Sequence, residues 1–178
     1  GGNMHALNDA WAAVNAFMAS GGPVLLLIAG LTFFMWTLIF ERFFYFKGGL
    51  KRDVQGAVDT WEARPERKSW GAHQIRYALV SRVSEKIQSN MDMIQTCVAL
   101  APLFGLLGTV WGMINVFEVL AITGGGDAKQ MASGVSMATI PTMAGMVTAL
   151  SGVFANTYIT RTAERETQLL EDHLTMDH

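Results

Sequence analysis

Six hydroxyls recur in an uncharged, apolar part of the chain: Ser133, Ser136, Thr139, Thr142, Thr148 and Ser151. Five of them fall within SMATIPTMAGMVTALSG (136–152) or at its edge, and Pro141 sits in its middle. A helix that only had to dissolve in lipid would need none of these groups. In a membrane a Ser or Thr hydroxyl has two main uses. It can bond to a carbonyl one turn earlier and hold helices together. It can also line a polar path and replace part of an ion's hydration shell. Pro141 favours the first use, because it leaves the carbonyl of residue 137 without its helical donor. Spacing favours the second for a subset. Ser136, Thr139 and Thr142 stay within about 120° of one another around a helix. Thr109, in the middle of another apolar run, can join them, and these four are the candidate ion path. Transport that does work also tends to leave carboxylates inside the membrane. Only Glu118 comes near, about one turn from the end of its run. It is either a cation-attracting outer vestibule or a carboxylate paired at the interface.

The elements that must hold these groups are helices. The chain has 178 residues, of which 51% are apolar, and its mean hydropathy is +0.27. Three apolar runs approach the ~20 residues that a ~30 Å hydrocarbon core requires. The first, 23–40, lies in a span of 22–46 that closes on Glu41, Arg42 and an aromatic cluster. The second and third spans are 98–122 and 131–159, joined by a Gly-rich turn at 123–130. The spacing of Leu7, Trp11, Val14, Phe17 and Met18 predicts an amphipathic helix over 4–20, lying on the outer membrane interface. Residues 1–3 read as a cloning remnant before a native start at Met4. Stripes at Leu50, Val54, Ala57, Val58 and Trp61, and at Ile75, Leu79, Val83 and Ile87, predict a helical region over 47–97. The segment RPERK (64–68) divides these stripes, and the second is expected to run unbroken into the second span. The third span should continue as a C-terminal helix over 160–178, with Leu169, Leu170 and Leu174 in a stripe. The fold class is therefore an all-α membrane protein with three transmembrane helices, two of them long and extending into the cytoplasm.

Basic residues set the expected orientation. None lies in 1–22, ten lie between Arg42 and Lys86, the turn carries only Lys129, and the tail carries Arg161 and Arg165. The positive-inside rule then puts the N-terminus and the 123–130 turn in the periplasm, and the 47–97 region and the C-terminus in the cytoplasm. A net charge of −2 gives no field that would favour nucleic acid. Enzyme signatures are missing. The four histidines are scattered, no Cys/His cluster has metal spacing, and Cys97 is alone. No catalytic residue, metal or cofactor is expected. Gly105, Gly108 and Gly112 in GLLGTVWG, and Gly145 on the third span, read as close helix contacts of the small-xxx-small kind.

At APLFGLLGTVWGMINVF (101–117) and GVSMATIPTMAGMVTAL (134–150) the chain resembles the MotA/TolQ/ExbB proton-channel family, most nearly its ExbB-type members. The motif GLLGTVWG is specific, and the order of segments agrees throughout. The resemblance implies a homo-oligomeric ring, a pentamer, around a single-span ExbD-type partner that carries the membrane aspartate. It implies a proton channel in the bacterial inner membrane that energises a TonB-type protein for outer-membrane nutrient (siderophore) uptake. By position Thr109 and Thr142 match the pore threonines of the second and third spans. Met137 stands where ExbB and TolQ usually have a glutamate, and Pro141 where they have alanine. Membrane lipids are the remaining partner, and nucleic acid is not one. A TolQ-like or stator-like subunit of another envelope motor fits the same architecture. A scaffold that anchors a partner and moves no ions is the reading of a different class.

Overall fold

The computed structural model describes residues 2–125 and 128–175, and for 17–21 the backbone only. Among these residues the chain forms six helices: α1 (Gly2–Gly21), α2 (Pro23–Lys47), α3 (Gly49–Glu62), α4 (Trp70–Ile87), α5 (Met91–Thr123) and α6 (Ala128–His173). Among them no strand occurs. Pro23 opens α2, where its missing N–H is not needed, and Gly22 before it takes a left-handed φ of 76°. Three helical stretches are long and apolar enough to cross a membrane: Pro23–Lys47, Trp70–Thr123 and Ala128–His173.

The second stretch corrects the expectation of an unbroken stripe. It is two helices, because Asn90 turns the chain with φ 65° between α4 and α5. Asn is among the few residues that enter the left-handed region, since its short amide bonds locally. Ile75 also leaves the stripe and is exposed, while Ala72, Val83 and Ile87 form the buried face of α4. Packing on α3 selects that face. α1 keeps Met4, Leu7, Trp11 and Val14 exposed along its length. The side chains of Phe17 and Met18, which the sequence adds to that face, lie outside the described residues.

The chain divides into two compact units. The first contains the residues up to Met35 and Thr96–Gly152. Here α2 and α6 run parallel: position 22 faces Met137, Thr32 meets Thr148, and Met35 touches position 152. α5 runs antiparallel to α6, since numbers fall from Gly112 to Ala101 on one helix as they rise from Ala138 to Gly145 on the other. The seam is made of small residues. A Cβ at Gly108 would enter the ring of Pro141, one at Gly112 would enter the backbone of Ala138, and one at Gly145 would sit 2.5 Å from the Ala101 carbonyl oxygen. The outside is apolar: Leu103, Leu106, Val110, Trp111, Phe117 and Val147 are among many exposed side chains. Small and hydroxyl groups inside with large apolar groups outside is the pattern of a bundle in lipid.

The second unit contains Trp36–Gln95 and the chain from Val153 on. Helices α3 and α4 pair through Leu50, Ala57 and Trp61 against Ala72, Val83 and Ile87, all of them buried. Ser69 caps α4 by accepting from the amide of Ala72 at 3.1 Å. Two arginines satisfy helix ends that would otherwise expose carbonyls. Arg42, 3% exposed, donates to the carbonyls of Lys86 (2.6 Å) and Ile87 (3.2 Å) at the end of α4. Arg76 donates to Glu171 (2.7 Å) and Leu174 (2.8 Å) at the end of α6. The Trp61 indole adds a bond to the Thr175 carbonyl at 2.5 Å. Ile159, Ala163, Leu170 and Leu174 form the buried stripe of α6 in this unit, and Leu169 lies outside it.

The glycine seam gives a direct test. Gly112→Ala should lower the thermal stability of the detergent-solubilised protein by about 1–3 kcal/mol, the usual cost of overpacking. Gly30→Ala, where a Cβ meets nothing within 4 Å, should leave stability unchanged or raise it by about 0.5–1 kcal/mol. Equal melting behaviour of the two variants would show that the seam does not hold the helices.

Candidate ion-path site

Close approach of α5 and α6 brings two hydroxyls together. Thr109 and Thr142 share a hydrogen bond of 2.5 Å between their Oγ1 atoms. Thr109 also lies within reach of the carbonyls of Gly105 (3.3 Å) and Ala138 (3.2 Å), and Thr142 within reach of Gly105 (3.2 Å). The two hydroxyls have one proton each. Every acceptor they meet is a carbonyl of the chain or the other hydroxyl, so both protons are used within the seam. What the pair can still offer is lone pairs. The carbonyl served by Thr109 belongs to Ala138, one residue beyond the carbonyl that Pro141 leaves without its helical donor.

Both hydroxyls are half-buried and line an open groove of about 470 Å³. Its other walls are apolar apart from Thr139, with Met113, Val135, Met143 and Met146 the largest. The floor therefore presents oxygen acceptors in an otherwise greasy channel, an arrangement that can solvate a cation or a protonated acid and not an anion.

The remaining sequence candidates divide. Thr139 lines the groove but is exposed, and its hydroxyl bonds to the Ser136 carbonyl at 3.2 Å. The groove does not include Ser136, which is six residues from Thr142 and therefore about 120° round the helix. Glu118 is exposed and outside the groove. It follows Thr109 by nine residues, two and a half turns, so it points away from the opposite side of α5. Met137 also lies off the groove: its sulfur accepts from the Asn115 amide at 3.1 Å, and its side chain covers Gly22. Gly105, Gly108, Gly112 and Gly145 all sit in the seam; the facing helix leaves no room for a side chain at 108, 112 and 145, and a Cβ at 105 would make a tight 3.0 Å contact with the Pro141 carbonyl oxygen.

Two contacts were not foreseen. Thr32, in the first apolar run, bonds to Thr148 across 2.8 Å and to the Ile28 carbonyl at 2.7 Å. Thr148 is buried there, so α6 is tied to α2 as well as to α5. Asn115 reaches Met137. The only sequence signal for either was a polar group in an apolar run, which does not identify its partner. Among the described residues no three His, Cys, Asp or Glu side chains come together as a metal site.

An apolar exterior, a small-residue seam and three helices of spanning length define a multi-pass membrane protein. Residues 45–172 match the MotA/TolQ/ExbB proton channel family, and the chain belongs to that family, close to ExbB. It is a family of channel and transport proteins, not of enzymes. The chain is 52% identical over 68 residues to the ExbB-like 1 biopolymer transport protein of Synechocystis sp., covering 36% of this chain and 27% of the relative. It is 38% identical over 82 residues to the biopolymer transport protein ExbB of Xanthomonas campestris pv. campestris, covering 46% and 32%. It is 31% identical over 91 residues to the Tol-Pal system protein TolQ of Pseudomonas aeruginosa, covering 51% and 39%. The matched stretches thus span about a third of the length of these curated relatives. All three come from bacteria, in keeping with a bacterial membrane protein.

Thr109→Val and Thr142→Val keep side-chain shape and remove a hydroxyl. Each should cost about 0.6 kcal/mol, the mean for a hydrogen bond between membrane helices, and leave the helix content unchanged by circular dichroism. A loss several times larger would mean that the pair is needed for folding itself.

Proposed function

We propose that the chain is the ring-forming subunit of an ExbB-type motor in the bacterial inner membrane. In this reading it is a homo-pentamer enclosing a single-span ExbD-type partner, conducts protons past Thr109 and Thr142, and transmits work to a TonB-type protein that drives nutrient uptake, siderophores included, across the outer membrane. The observation that carries the reading is the Thr109–Thr142 pair at the floor of an open groove, in apolar runs whose single carboxylate, Glu118, points elsewhere. Threonine does not titrate at physiological pH, so a proton-driven cycle needs an acid from another chain. A partner with a membrane carboxylate supplies it, and the acceptor-rich groove suits the protonated form of that acid. Glu118 is then left a long-range role at the outer mouth, screened within about 10 Å at ~0.1 M salt.

The likeness to a Tol-Pal system protein supports a second reading, a TolQ-like subunit of an envelope motor. The two share the channel and differ in the partner. Copurification to identify any small single-span partner, followed by loss-of-function phenotypes in the source bacterium, separates them. Failure of siderophore uptake marks the ExbB type, and a leaky envelope with intact uptake marks the TolQ type.

Thr109→Val and Thr142→Val should each leave the complex with its single-span partner assembled and reduce energy-dependent transport at least tenfold. Normal transport by both would make the hydroxyls packing groups and favour a non-conducting scaffold. The orientation has its own check. A cysteine at Lys129 should react with an impermeant thiol reagent added to intact spheroplasts, and one at Gln168 only after lysis, with native Cys97 buried. The reverse order would overturn the periplasmic N-terminus and cytoplasmic C-terminus together.

A further inference from the structure

The second unit contains a ring pair with two unpaired cations beyond it. Phe43 on α2 and Tyr158 on α6 lie 6.1 Å apart between ring centroids, which brings the two helices side by side at this level. On each helix the ring stands where the apolar run ends, and a cation follows about one turn later: Lys47 after Phe43, and Arg161 after Tyr158. The Lys47 ammonium lies 4.4 Å from the Phe43 ring centroid, which directs it back along the aromatic face. Lys47 and Arg161 are both exposed. Neither joins an ion pair among the described residues, whereas Glu41 is held by Arg42 and Glu166 by Arg165. Phe44 (68% exposed) and Phe154 (74%) are bare on the same two helices.

We propose that this corner is a binding site for the headgroup of an anionic phospholipid, with Lys47 and Arg161 holding the phosphate. The charge is complementary, and the two cations flank a ring pair of the type that sits at a membrane interface. A soluble anion would use the cations and leave Phe44 and Phe154 in water. A phospholipid covers those rings with its acyl chains while its phosphate meets the cations, and basic pockets between membrane helices bind anionic headgroups in this way. The Tyr158 phenol, half exposed beside them, is a further donor. The inference requires that the helices span a bilayer. It is independent of ion conduction.

Native mass spectrometry of the delipidated protein in mild detergent tests it, with phosphatidylglycerol and phosphatidylcholine of identical chains as probes. The wild type should retain phosphatidylglycerol preferentially. Lys47→Gln combined with Arg161→Gln should lower its affinity about 30-fold, from roughly 1 kcal/mol per basic residue near the surface. Lys68→Gln combined with Arg82→Gln, exposed side chains just before and on α4, should have no effect. The melting temperature, measured alongside, should be the same for all variants without lipid, as expected for exposed side chains. Equal retention of the two lipids by the wild type would overturn the site. So would an equal fall in both double variants, which would mark a diffuse charge effect. Glycerol 3-phosphate should fail to displace the lipid at millimolar concentration, and displacement would make this a soluble-anion site instead.

Discussion

The approach of α5 and α6 is the contact on which the rest of the first unit depends. Between helices in lipid there is no hydrophobic force to draw them together, so contact relies on van der Waals packing and hydrogen bonds. Both act only at short range. Glycines at 105, 108, 112 and 145 remove the side chains that would hold the backbones apart. Only then can the Thr109 hydroxyl reach the Ala138 carbonyl on the facing helix, and Thr142 the carbonyl of Gly105. A methyl group at Gly112 would push back the same Ala138 that accepts from Thr109. Packing and the hydroxyl site are therefore one feature seen at two places along the seam.

α6 carries this arrangement on two sides. Thr142 meets Thr109 on α5, and Thr148, six residues on and about 120° round the helix, meets Thr32 on α2. The regular recurrence of hydroxyls in the sequence is thus not a single lining. It serves two faces, one toward α5 and one toward α2, and each borders an open groove, of about 470 Å³ at Thr142 and about 560 Å³ at Thr148. Thr148 is buried and Thr142 only partly so.

The spans, the glycine contacts and the Thr109–Thr142 pair were legible because each rests on local chemistry: apolar length, absence of a side chain, a polar group where lipid tolerates none. What failed to show was partnership and direction. The turn at Asn90 breaks a periodic stripe without a glycine or proline to mark it. Distance from the span end places Glu118 near the mouth, and a count of residues from Thr109 adds that it stands on the opposite side of α5. Arg42 reads as a charge at a membrane edge and is instead nearly fully buried on the last carbonyls of α4. Long cationic side chains reach helix ends that only tertiary structure brings near, so no sequence window contains both donor and acceptor.

Position 137 lies off the groove, where the family resemblance leads one to expect a glutamate. Asn115 directs its amide to the sulfur there, a weak acceptor. A carboxylate at the same place would take that bond far more strongly, because charged acceptors roughly double a hydrogen bond's strength. Methionine removes the charge and keeps the volume, so the helices can pack without a buried anion that would cost several kcal/mol unless paired. The groove, which position 137 does not line, holds the threonine pair and no titrating group among its lining residues. Its two hydroxyl protons are committed to the backbone and to each other, and its open lone pairs favour whatever brings a proton or positive charge from outside the chain.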